Sequence, residues 1–125
     1  MGNGAEPKDL DPAVVTGMVE FYIMSSILEG LATLDPNDLK PIPAAAQSWD
    51  ISADQKTYTF HIRKNAKWSN GDAVTAEDFI YSWTRLLDPS TAAEYANQGW
   101  YVKNGKAFNE GKIKVYPGGL EYYLD

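Results

Sequence analysis

The first long apolar segment, residues 18–31, distributes hydrophobic side chains around most of a helical circumference. Only two glutamates and two serines interrupt it between residues 18 and 29. A helix that is apolar on many sides is typically buried on several faces, and Gly30 stands where a helix C-terminal glycine is expected. We therefore predict a buried helix that begins at Met18, followed by a short strand at residues 31–34 and a turn at residues 35–38.

Residues 57–63 alternate between apolar and polar side chains, which is the period of two expected of a half-buried strand. Tyr58, Phe60 and Ile62 point to one face, and Thr59 and His61 point to the other. Residues 49–52 are also strand-like, and the polar residues 53–56 between the two segments favour a turn. The pattern predicts a β-hairpin with one solvated face.

A second helix is predicted after Thr75, because Thr75 and Asp78 have the spacing of a capping box. Asp88-Pro89 ends this helix, and a shorter third helix is predicted from Thr91 through Tyr95. Together the elements predict a mixed α/β lobe in which a small sheet is flanked by helices. The second helix carries an apolar stripe that faces the core, made of Phe79, Ile80, Trp83, Leu86 and Leu87.

Length and composition are those of one soluble domain: 125 residues, of which 44% are hydrophobic and 22% charged. The sequence has no cysteine, and its net charge of -6 disfavours binding to nucleic acid. No apolar run approaches the roughly 18 residues that a membrane span requires. These properties exclude disulfide-stabilised and membrane-spanning classes and disfavour nucleic-acid-binding ones.

The sequence offers little for catalysis or metal binding. His61 is the only histidine, and it lies on the polar face of a strand without a second zinc-type ligand nearby. Glu77 and Asp78 lie at a helix start, where the helix dipole favours negative charge, so we interpret them as capping residues. We predict no catalytic residue, no metal site and no cofactor. Trp100 and Tyr101, with Tyr95, are either core residues or a stacking surface for a ligand.

Four segments carry a resemblance to a known family. In order and spacing they resemble the signature of the oligopeptide- and dipeptide-binding receptors, family 5 of the extracellular solute-binding proteins of ABC importers. The similarity extends from about residue 3 to about residue 112. The segments are PIPAAAQSW at 41–49, TYTFHIR at 57–63, KWSNGD at 67–72 and VTAEDFIYSW at 74–83.

The resemblance implies a lobe of a type II periplasmic-binding-protein-like fold, in a two-lobed receptor that closes over an extended oligopeptide. It implies capture and delivery without chemistry, a transmembrane permease as partner, and a periplasmic or extracellular location with a lipid anchor in some whole proteins. By position in the family, Thr16, Gly17 and Met18 contact the peptide through their backbone. Tyr95 matches a tyrosine that faces the ligand.

The chain is short for this family, so the resemblance implies a receptor fragment that lacks its second lobe. Residues 1–30 are expected to begin the first lobe around the buried helix, residues 31–114 to form a small α/β lobe, and residues 115–125 to be a divergent or truncated tail. The missing lobe is expected to leave an apolar face that promotes self-association. Two alternatives stay open: a receptor for another solute, such as a dipeptide, nickel complex or sugar, and a scaffold or interaction domain that binds no ligand.

Overall fold

The computed structural model describes residues 4–114, so the tail predicted at residues 115–125 lies outside it. The described residues divide into two compact units: residues 29–78 form one, and residues 4–28 together with residues 79–114 form the other. The mixed α/β class predicted from the sequence is confirmed. In chain order the elements are α1 (Met18–Ile27), β1 (Ala32–Leu34), β2 (Pro41–Pro43), β3 (Ala46–Ile51), β4 (Tyr58–Ile62), α2 (Ala76–Leu87), 3-10 turns at Pro89–Thr91 and Ala96–Gly99, and α3 (Gly105–Asn109).

In the unit of residues 29–78, β3 and β4 form the predicted antiparallel hairpin. Trp49 is paired with Phe60, and their rings lie 6.0 Å apart, so a large aromatic pair stabilises one face. The turn between the strands is closed by the Ser52 hydroxyl, which accepts the Thr57 N–H at 2.9 Å. The predicted hairpin is therefore present, although its first strand begins at Ala46, earlier than the predicted residues 49–52.

The hairpin contains a β-bulge at Gln47. Ala46 pairs with Ile62 and Ser48 pairs with His61, so Gln47 has no partner of its own on β4. A bulge of this kind inserts one residue into a strand and bends it locally.

Three consecutive alanines, Ala44, Ala45 and Ala46, are buried at the point where the two small sheets of this unit meet. The N–H groups of Ala45 and Ala46 donate to the carbonyls of Gly30 and Leu31, at 3.0 and 2.9 Å. The Ala45 carbonyl in turn accepts the N–H of Arg63 at 3.0 Å. Backbone segments approach closely here because the side chains are small.

In the other unit, α2 ends at Leu87, whose side chain is completely buried. Leu87 lies against Gly99 and Gly105, and a Cβ built on Gly105 would be only 2.3 Å from the Gly99 carbonyl oxygen. Within the described residues, the other buried apolar side chains of this unit are Ala96 and Phe108. Glycine at position 105 thus allows two backbone segments to pack on Leu87.

Helix α1 begins at Met18 as predicted, but two expectations about it are wrong. It ends at Ile27, and Leu28 is extended (φ -113°, ψ 147°), so Gly30 is not its terminal glycine. The helix is also not buried on several sides, since Phe21, Tyr22 and Ile27 are each more than half exposed. Hydrophobicity around the whole circumference indicates that a helix prefers to be covered, but residues 4–114 cover only the side that carries Glu20.

The third helix predicted at residues 91–95 is also wrong. The Asp88 carboxylate accepts the Ser90 N–H at 2.8 Å and starts a 3-10 turn, which ends at Ala92 in a left-handed conformation (φ 52°). A left-handed residue interrupts helical hydrogen bonding, so the chain cannot continue as an α-helix. The predicted division at residue 30 stays a prediction, and residues 79–114 cluster with the N-terminal residues instead of with residues 31–78.

Candidate ligand-binding segment

The predicted peptide-contacting segment, residues 16–18, runs directly into the start of α1. Gly17 has φ -89° and ψ 155° and is the N-cap residue, with Met18 as the first helical residue. The Gly17 carbonyl accepts the Phe21 N–H at 3.0 Å, which is the first bond of the helix. Thr16 is exposed, and the Met18 side chain is 61% exposed. The segment therefore presents backbone and side-chain groups at the surface of its unit.

Upstream of this segment the chain is fixed by Asp11. Its carbonyl accepts the N–H groups of Val14 and Val15, both at 3.1 Å, and its carboxylate accepts the Ala13 N–H at 3.0 Å. Both carboxylate oxygens also accept hydrogen bonds from the Arg85 guanidinium on α2. The Arg85 hydrogen bonds, and then the Ala13 N–H, lower the pKa of Asp11 to about 2. This bidentate pair joins two segments that are 74 residues apart in sequence.

Downstream of the segment lies Glu20, which is 6% exposed and is the one buried charged residue among residues 4–114. Its Oε1 accepts the Lys8 N–H at 2.7 Å. This bond, followed by a hydrogen bond from the N–H of Glu20 itself, lowers the pKa of Glu20. The sequence signal was the spacing of Gly17 and Glu20, which places an acidic residue in the first helical turn. Sequence reasoning treated Glu20 only as a polar interruption and missed it.

Tyr95 belongs to the same unit as residues 16–18. Its side chain is 52% exposed, and its backbone (φ -100°, ψ 20°) precedes the 3-10 turn Ala96–Gly99. Its carbonyl accepts the Gln98 N–H at 3.0 Å, which fixes the local backbone. Within residues 4–114, no hydrogen bond joins Tyr95 to residues 16–18. All four predicted residues thus lie on one unit, and three of them expose side chains.

The other aromatic side chains near Tyr95 differ in how firmly they are held. The Trp100 indole N–H donates to the Asn109 side chain at 3.1 Å, and the Lys106 ammonium lies 5.0 Å from the Trp100 ring centroid. Trp100 is still 40% exposed, whereas Tyr101 is 74% exposed. Trp100 is therefore anchored to its own unit, and Tyr101 is a surface residue.

The groups considered for chemistry have local structural roles. His61 Nε2 lies 2.7 Å from Asp50 Oδ2 at an exposed position on the hairpin. The Asp78 carboxylate accepts the Thr75 N–H at 2.7 Å, which confirms it as a helix cap. Between residues 4 and 114, no cluster of three or more histidine, cysteine or acidic side chains could hold a metal ion. None of the helices in that range has the length and hydropathy to cross a membrane.

The fold and sequence together define a class of protein. Residues 40–117, more than half of the chain, match the profile of the bacterial extracellular solute-binding proteins, family 5. The chain belongs to this family, which confirms the resemblance found in its four sequence segments.

Similar proteins include two named peptide-binding proteins and a solved structure. The chain is 48% identical over 123 residues to the periplasmic oligopeptide-binding protein OppA of Haemophilus influenzae, which covers 97% of this chain and 23% of the relative. It is 46% identical over 114 residues to the dipeptide-binding protein DppE of Bacillus subtilis, a match that covers 91% of this chain and 21% of DppE. The crystal structure of Haemophilus influenzae OppA in complex with RPPGFSPFR matches with a TM-score of 0.80, over 90% of this chain and 22% of that one. The chain therefore spans less than a quarter of the length of these relatives.

Proposed function

We propose that this chain is part of the substrate-binding component of an ABC peptide importer, and that the complete receptor binds extended oligopeptides. The observation that carries the proposal is the 48% identity to an oligopeptide-binding protein over nearly the whole chain. A family match alone would not favour peptides over another solute. Two similar proteins named for peptide binding do favour them.

Within the receptor, residues 16–18 contact the peptide through their backbone. An extended peptide can be bound as an added strand, in which main-chain hydrogen bonds supply affinity without regard to side chains. The extended backbone at Gly17 and the exposure of Thr16 support this role. The flexible side chain of Met18 can adapt to different ligand side chains, and the half-exposed ring of Tyr95 is free to cover a bound peptide.

We further propose that the receptor performs no chemistry and delivers its ligand to membrane permease subunits from the periplasm or the outer face of the membrane. The similar OppA protein is named periplasmic, which supports that location. Residues 1–30 would begin the first lobe and residues 31–114 would form the small α/β lobe of the receptor. The exposed apolar side chains of α1 would then be covered by other parts of the receptor, and in the isolated chain they would promote self-association.

A chimeric receptor tests the proposal. The matching part of Haemophilus influenzae OppA is replaced by this chain, and RPPGFSPFR is titrated calorimetrically into the chimera and into the 125-residue chain alone. We expect the chimera to bind and the chain alone to bind at least a hundredfold more weakly, because most of the pocket comes from elsewhere. A folded chimera that does not bind would contradict the proposed function.

Two matched variants of the chimera test the site. Tyr95→Ala removes a ring proposed to face the peptide, and Tyr101→Ala removes a more exposed ring from the same unit. Only the first change is expected to weaken binding. Equal losses for both variants would remove the support for a specific role of Tyr95.

A further inference from the structure

Glu20 is a buried carboxylate that none of the roles above uses. We infer that Glu20 is a positioning residue, which holds residues 16–18, at the start of α1, in the conformation in which they meet the peptide. This inference rests on the proposed function, because it assigns Glu20 a role in the same site.

The first observation is the set of groups around the carboxylate. Glu20 Oε1 accepts the N–H of Lys8, twelve residues earlier, at 2.7 Å. Glu20 itself stands in the first turn of α1. Its side chain therefore fastens the segment around Lys8 to the start of α1, and residues 16–18 lie within the loop that is closed in this way. Burial of the Glu20 side chain limits the competition of water for this bond.

The second observation is how tightly the carboxylate lies against Gly17. A Cβ built on Gly17 would be 2.0 Å from Glu20 Oε2, so the carboxylate occupies the space that a side chain at position 17 would require. The backbone of Gly17 is in the ordinary extended region, which any residue can adopt. A side chain at position 17 would therefore displace the carboxylate, although the backbone conformation would allow one. The Glu20 carboxylate fills the space on one side of Gly17.

The third observation is that the segment has an anchor at each end. Arg85 holds Asp11 upstream, and downstream the Glu20 carboxylate lies beside Gly17 and accepts the N–H of Lys8. Between these anchors, neither the N–H nor the carbonyl of Thr16 makes a backbone hydrogen bond to another residue within 4–114. Main-chain groups that residues 4–114 leave without a backbone partner can pair with an added peptide strand. If the segment is already held in place, less conformational entropy is lost when the peptide binds.

The test uses the chimeric receptor with RPPGFSPFR and three variants. Glu20→Ala removes the carboxylate, Glu20→Gln keeps an oxygen that can accept the Lys8 N–H, and Glu94→Ala removes an exposed glutamate of the same unit. We expect Glu20→Ala to weaken binding by roughly tenfold, Glu20→Gln to restore most of the affinity, and Glu94→Ala to have no effect. Hydrogen exchange in the 125-residue chain should show faster exchange at Lys8 in Glu20→Ala and unchanged exchange in the β3–β4 hairpin.

The outcomes separate the two proposals. If the unmodified chimera folds and does not bind the peptide, the proposed function is wrong, and the positioning role falls with it. If the chimera binds and Glu20→Ala binds equally well, the positioning role alone is wrong. Should Glu20→Ala fail to fold, Gly17→Ala decides, because its Cβ displaces the carboxylate while the charge is retained. Unchanged affinity in a folded Gly17→Ala chimera would overturn the inference.

Discussion

The ion pair between Asp11 and Arg85 supplies the most direct prediction on stability. Substituting Asp11→Asn keeps the size of the side chain but removes its charge. The pKa of Asp11 is lowered from 3.8 to about 2, first by the Arg85 hydrogen bonds. Without solvent screening, this lowering of the pKa would correspond to roughly 2.5 kcal/mol of unfolding free energy. Because the side chains of Asp11 and Arg85 are 27% and 36% exposed, solvent screens the pair, and we expect a loss of about 1 kcal/mol.

The pH dependence follows from the sign of the shift. A carboxyl group whose folded pKa is lowered stabilises the protein fully above its unfolded value, here 3.8. This contribution decreases as the pH falls below 3.8 and is lost as the pH falls through about 2. The difference between the original chain and Asp11→Asn should therefore be constant near neutral pH and should disappear in acid.

Urea unfolding of the 125-residue chain at pH 7, 4 and 2, followed by far-UV circular dichroism, measures this difference. Asp9→Asn is the control, because Asp9 lies two residues away but makes only exposed local hydrogen bonds. Equal unfolding free energies for Asp11→Asn and the original chain at pH 7 would refute the assigned role of the pair. A difference that persists at pH 2 would show that it arises from something other than the charge.

Three further predictions concern the small core and the exposed helix. Leu87→Ala should cost about 2–5 kcal/mol of unfolding free energy, because the side chain is completely buried, while Leu86→Ala, at a half-buried position, should cost less. Gly105→Ala should cost at least about 1–3 kcal/mol, since its Cβ meets a backbone oxygen that cannot rotate away; thermal unfolding at the original midpoint would contradict this. Sedimentation of the chain should show dimers at high concentration that Phe21→Glu weakens, and a strict monomer throughout would exclude association by α1.

The sequence predicted the elements whose side chains have a simple period. The hairpin β3–β4 and helix α2 were recognised because alternation and an apolar stripe reflect one buried face. The capping role of Asp78 was also predicted, because it depends only on Thr75, three residues earlier in the sequence. The strand β2 was missed, because it is only three residues long and contains two prolines, which usually weaken a strand.

The misses involve contacts between residues that are distant in sequence. The pairing of Asp11 with Arg85 spans 74 residues, and no local pattern indicates it. Glu20 accepts its hydrogen bond from the backbone N–H of Lys8. Every non-proline residue has such an N–H, so the sequence does not indicate which residue is the donor. Helix α1 was predicted to be buried because its side chains are apolar. Apolar side chains indicate that a helix prefers to be covered, but they do not indicate whether the covering surface belongs to the same chain.

The bulge at Gln47 determines where the hairpin can change length during evolution. Side chains on a strand alternate between faces, so removing Gln47 would let β3 and β4 pair regularly but would turn either Ala46 or Trp49 towards the wrong side. The turn at residues 52–57 has no such constraint, because added residues there extend into solvent and leave the pairing intact. Insertions and deletions among natural variants should therefore collect at the turn, while the residue count between the buried alanines and Trp49 stays fixed.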